Sequence, residues 1–141
     1  MTGRFKLFLV WFFGYAGSLL ILSLYCFTRL TVDDINAVLG SALVDLTGVF
    51  APYLTPIVAF WFAKEVIQKA APLPQGPYQV AFICSLFYNA TIILLMCALF
   101  ILNASSPDYA VNQILELAST LSSGLAFLVG PAIGFYFGKT D

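Results

Sequence analysis

A chain of 141 residues is long enough for one compact domain, yet 61% of it is hydrophobic, only 9% is charged and its mean hydropathy is +0.95. That composition lies outside the soluble range and makes the bilayer the solvent. Four apolar runs, each near the roughly 20 residues that cross the hydrocarbon core as a helix, use most of the chain and leave no room among these residues for a soluble domain; a net charge of −1 from six basic and seven acidic residues argues against a nucleic-acid partner.

MTGRFK followed by LFLVWFFGYAGSLLILSLYCF has the basic start and apolar run of a secretion signal, but the run is longer than a signal core and no A-x-A cleavage pattern follows. Tyr25 stands before Cys26, where a lipoprotein signal needs a small residue. A retained membrane helix is expected over Phe5–Thr28, leading away from the cytoplasm.

Thr31 opens the second element with the chemistry of an N-cap, and Asp33 and Asp34 suit the positive end of a helix. Ile35, Val38, Leu39, Ala42, Leu43 and Leu46 then keep helical spacing. A helix from Asp33 to Lys64 would be roughly 48 Å long at about 1.5 Å per residue, against a hydrocarbon core of about 30 Å. Only about Val44–Ala63 is expected to span, the first third projecting outside or lying along the outer surface. Pro52 and Pro56 each lack an amide donor and free the carbonyl four residues earlier, so a kink is expected.

KEVIQKAAPLPQGPYQ is the one long polar connection, and its Pro72, Pro74, Gly76 and Pro77 argue against an extended helix. It reads as a linker between a first hairpin, residues 1–75, and a second, residues 76–141, with the Lys64–Tyr78 loop a candidate docking strip for a soluble partner. Tyr78–Leu102 is the third span and carries Asn89 and Thr91. An amide in hydrocarbon needs a partner, so Asn89 is expected to face another helix rather than lipid, through an interhelical hydrogen bond or as a pore or ligand contact.

Asn103–Asn112 returns the chain on the outer side, with Ser106-Pro107-Asp108 shaped as a helix start. Ile114, Leu117, Ala118 and Leu121 form a second amphipathic piece, and Ser122, Ser123 and Gly124 lead into a fourth span ending near Gly138 and Lys139. In that span Ala126, Gly130, Gly134 and Gly138 recur every fourth residue and form one stripe of small side chains, where another helix can approach closely. A shift of about 75 positions lays TPIVAFWFAK over GPAIGFYFGK, matching Ala51, Thr55, Ala59 and Ala63 to that stripe and Pro56 to Pro131. The expected architecture is all-α and polytopic, four transmembrane helices built as two tandem similar hairpins. The aromatic clusters Phe60-Trp61-Phe62 and Phe135-Tyr136-Phe137 are expected near the membrane interface.

Arg4, Lys6, Lys64, Lys69 and Lys139 flank one set of helix ends and only Arg29 the other. Lys and Arg beside short loops stay cytoplasmic, which places both termini and the Lys64–Tyr78 loop there. Asp33, Asp34, Asp108 and Glu116 fall on the opposite side.

Histidine is absent, and Cys26, Cys84 and Cys97 stand singly in apolar runs. Without a nucleotide loop, metal-ligand cluster or nucleophile elbow, no catalytic site, cofactor or metal is expected. Asp45 and Glu116, the acids in apolar surroundings, lie toward the outer ends of their spans and read as interfacial charges. The small-residue stripe then points to a non-catalytic, self-associating scaffold, anchor or sensor subunit. An oligomeric holin-like or toxin-like pore, opening at kinks at Pro56 and Pro131, is the alternative. A small transporter working as a dimer is the third reading.

The ending GPAIGFYFGK resembles the last helix of many four-span bacterial inner-membrane proteins, including small membrane subunits found beside soluble effectors in antiphage systems such as Kiwa. That resemblance covers about one helix and implies a multi-pass protein of the bacterial plasma membrane, a homo-oligomer recruiting a cytoplasmic partner through the 64–78 loop and the termini in antiviral defence.

Overall fold

The computed structural model describes residues 3–62, 75–101 and 106–137. Among them only Leu30, Thr31 and Ser106 lie outside a helix. The four helices are α1 (Gly3–Arg29), α2 (Val32–Phe62), α3 (Gln75–Ile101) and α4 (Pro107–Phe137), each long and apolar enough to cross a membrane. The protein is all-α.

Local chemistry sets the ends. Arg29 closes α1 at the negative end of its dipole, and the Leu30 amide donates to the Cys26 carbonyl at 3.0 Å. Thr31 caps α2 as its position predicts. The Asp34 amide donates to Thr31 Oγ1 at 3.4 Å, the Thr31 hydroxyl donates to Asp34 Oδ2 at 2.6 Å, and the Ile35 amide reaches the Thr31 carbonyl at 2.9 Å. With so short a connection α2 folds straight back along α1. Pro107 occupies the first position of α4, where a missing amide costs nothing, and the Ala110 amide donates to the Ser106 carbonyl at 3.1 Å.

One boundary differs from the sequence expectation. The third helix begins at Gln75, so Gly76 and Pro77 lie inside its first turn, where amides have no intrahelical partner to lose. The fourth is continuous through Ser122, Ser123 and Gly124, which stand in mid-helix. Both α2 and α4 run through Pro52, Pro56 and Pro131 without a break. Ala110, Val111, Ile114 and Leu115 are buried, so the start of α4 packs within the bundle and does not lie apart on a surface. The linker prolines Pro72 and Pro74, and with them Ala63, Lys64, Asn103, Gly138 and Lys139, lie outside the described residues.

Around the bundle, α1 packs on α2 and α3, and α4 packs on the same two, so α2 and α3 stand on a diagonal. Directions follow from ring contacts. Arg4 at the start of α1 lies 5.1 Å over the Phe60 ring at the end of α2, whereas Phe60 meets Phe137 edge-on at 5.4 Å and Tyr25 meets Phe100 edge-on at 5.3 Å. Thus α1 and α3 run one way, α2 and α4 the other. Of the aromatic clusters, Phe60 and Phe137 are buried against each other at this end of the bundle.

The surface is the reverse of a soluble protein's. Phe13, Leu20, Phe27, Leu94 and Phe127 are 64–72% exposed, while Ser18, Ser85, Asn89 and Ser122 are buried. Apolar side chains outside and polar ones inside are what hydrocarbon requires of a helical bundle, since lipid offers an amide or hydroxyl no hydrogen bond.

The 75-residue likeness does not carry over into burial. Tyr53 and Ile57 of α2 are buried, but Leu128, 75 positions after Tyr53, is 41% exposed; in this part of α4 the buried residues are Val129 and Ile133, one position further on. One residue turns a helix by about 100°. At adjacent corners of the bundle, the inward directions of two helices differ by about a right angle, which accounts for the offset.

Candidate functional site

Trp11 organises the core. Its ring is fully buried, stacks on Tyr53 at 4.9 Å, lies 5.0 Å from Tyr88 and meets Phe50 edge-on at 6.3 Å. Its indole N–H donates to Ser85 Oγ at 3.1 Å, tying α1 to α3 through a polar bond that lipid cannot replace.

One turn further along α3, Tyr88 closes a second network. Its hydroxyl lies 2.7 Å from Ser122 Oγ and 2.8 Å from the Val49 carbonyl, and Ser122 Oγ is itself 3.2 Å from that carbonyl. Each hydroxyl has one proton, so Tyr88 donating to Ser122 while Ser122 donates to Val49 satisfies both, as does the reverse order. Tyr53 adds a 3.3 Å bond from its hydroxyl to the Ser122 carbonyl. Three helices meet here. Tyr88→Phe is expected to lower stability by about 0.6–2 kcal/mol, the range of hydrogen bonds between membrane helices. A double-mutant cycle with Ser122→Ala, read by unfolding in detergent, checks this: additive losses would deny the bond.

Of the intramembrane polar residues predicted from sequence, Asn89 is 4% exposed and lies between α3 and α1. Its Nδ2–H donates to the Ser85 carbonyl at 2.8 Å, within its own helix, and its Oδ1 accepts no hydrogen bond. A Cβ built on Gly14 would overlap Asn89 Oδ1 and Cγ. The carboxamide therefore rests on the bare backbone of Gly14, whose Cα–H is the weak donor available to Oδ1. Thr91 directs its hydroxyl to the Phe87 carbonyl at 2.9 Å in the same helix.

The small-residue stripe expected to matter divides. Ala126, Gly130 and Gly134 line one wall of a groove of about 510 Å³ between α4 and α2. Gly48, Pro52 and Pro56 form the other wall, over a floor that includes Val49, Tyr53, Ser122 and Ile133. A Cβ built on Gly130 or Gly134 meets nothing within 4 Å, so this wall is open. Ala51, Thr55 and Ala59 take no part, since the prolines hold the groove face of α2 and this stripe lies on another. Pro131 is exposed away from the groove.

Among the described residues the tight glycine contacts are on α1, at Gly3 against the Tyr78 ring and at Gly14, where Gly14 and Ser18 are both buried. Sequence reasoning passed over these residues and the core ring Trp11. The signal was the four-residue step from Gly14 to Ser18 in GYAGS, weaker to the eye than three successive glycines.

Among the described residues no three His, Cys, Asp or Glu side chains gather as a metal set, and the three cysteines are free thiols. Comparison with protein-family models, with curated proteins and with solved structures found no match.

Proposed function

We propose that this multi-pass membrane protein is a non-catalytic scaffold, anchor or sensor subunit that assembles with copies of itself through the open wall of α4. The observation that supports this is the space at Gly130 and Gly134, where an added Cβ meets nothing within 4 Å although both glycines line a groove between helices. Small residues let a second helix backbone approach closely, and in lipid such packing contributes where the hydrophobic effect does not. The bacterial plasma membrane, with the 64–78 segment and the termini recruiting a cytoplasmic protein, completes this reading; recruitment of a soluble antiphage effector is what the last helix's resemblance adds. Clustering of Arg4 and the exposed Lys6 at the end where Phe60 and Phe137 meet supports a cytoplasmic N-terminus.

Gly134→Leu tests self-association cleanly, because the new side chain enters open space within its own bundle while blocking a neighbour's backbone. The variant is expected to remain folded and shift to a smaller species in detergent by light scattering, and an unchanged oligomer size would overturn the proposal. Liposomes carrying the wild-type protein are expected to stay sealed to ions and dye, whereas flux rising steeply with protein density would replace the scaffold by a pore. A reporter active only in the cytoplasm, fused after Asp141, is expected to be active; activity confined to a periplasmic reporter would reverse the orientation.

A further inference from the structure

We propose that the same α2–α4 groove is a binding site for a lipophilic organic cation, an onium centre carried on an apolar body. The site needs one copy of the chain, and a second copy packed on Gly130 and Gly134 would cover it, so cation binding and self-association compete for one surface.

The groove presents acceptors and no cation. Pro52 and Pro56 have no amide hydrogen, so the carbonyls of Gly48 and Pro52 lack their usual helical donor, and both residues line the groove. Ser119 and Ser123 face them from α4. Val49, Tyr53 and Ile133 supply an apolar floor. Neither α2 nor α4 contains a Lys or Arg among its described residues.

Two carboxylates complete the field. Asp45 precedes Pro52 by seven residues, a spacing that returns to the same side of a helix within about 20°. Glu116 precedes Ser123 by seven as well. Both acids are exposed, and since α2 and α4 run in the same direction they head the two walls at the same end, one turn before Gly48 and Ser119. An anion would meet carbonyls and carboxylates here. A small hydrated metal ion would waste the apolar floor. A delocalised or alkylated cation matches both, its charge held near the acids and carbonyls and its hydrocarbon against Tyr53 and Ile133.

The test is equilibrium binding of radiolabelled tetraphenylphosphonium to the purified full chain in lipid nanodiscs holding one chain each, with tetraphenylborate, of like shape and opposite charge, as competitor. Saturable binding is expected, displaced by the unlabelled cation and not by the borate. Asp45→Asn combined with Glu116→Gln is expected to weaken it about tenfold, because the formal charge at the end of the groove is lost, with the helical signal and oligomer size unchanged. Absence of saturable binding to the wild-type protein, equal binding by the double variant, or equal displacement by the borate would each overturn the proposal. Oligomer size is read separately in detergent with Gly134→Leu and cation binding in one-chain nanodiscs, so failure of one reading is distinguishable from failure of the other.

Discussion

Trp11→Ala is expected to destabilise the protein by about 3–5 kcal/mol, the range for emptying a buried aromatic site. The ring touches three other helical aromatics and fills the centre of the bundle, so its loss opens a cavity whose walls belong to α1, α2 and α3 and cannot all close together. It also leaves Ser85 Oγ without the indole donor in a site no lipid can serve. Thermal or denaturant unfolding in detergent, followed by circular dichroism, checks the size. Trp11→Phe keeps an aromatic ring and loses the 3.1 Å bond, and should fall between wild type and alanine. If the alanine variant unfolded within about 1 kcal/mol of wild type, well below the cavity range, Trp11 could not be the centre of the core.

Gly14→Ala is expected to cost about 1–3 kcal/mol, the usual penalty for overpacking, although it adds a single methyl group. That methyl falls on Asn89 Oδ1 and Cγ, so α1 and α3 must separate or the carboxamide must leave Gly14. Asn89→Ala in the same chain should recover most of the loss, because it removes the obstructing atoms. Gly134→Ala is the control, since its methyl meets open space. Equal stability of Gly14→Ala and Gly134→Ala in the same unfolding assay would contradict the close approach of α1 to α3.

The two substitutions separate glycines that look alike in sequence. Gly130 and Gly134 stand in an obvious four-residue series, and their bare backbone faces a groove; Gly14 belongs to a shorter pattern and carries the tight contact. A stripe of small residues tells that something approaches a helix, not what does. The approaching group at Gly14 is an amide 75 positions away in sequence, which no local pattern encodes.

Composition and periodicity determined what depends on the solvent and on neighbours along the chain. Four apolar runs in 141 residues required a membrane bundle, Thr31 and Asp34 marked the start of α2, and Pro107 marked that of α4. Hydrocarbon length, capping hydrogen bonds and the missing proline amide all act within a few residues, so each was legible. Pro77 was misleading because its effect depends on where the helix begins, and inside the first turn it removes no bond.

Only the tertiary structure decided which face of each helix turns inward. In a run that is apolar all round, hydrophobicity no longer distinguishes core from lipid, so the 75-residue likeness suggested equivalent faces where burial is offset by one position. What distinguishes the faces is the pairing of the few polar groups. Trp11 with Ser85, Tyr88 with Ser122 and Val49, and Asn89 on Gly14 are contacts between residues 73 to 75 or 34 to 39 positions apart. Lipid offers a polar group no substitute partner, and the packing of four helices selects which groups meet.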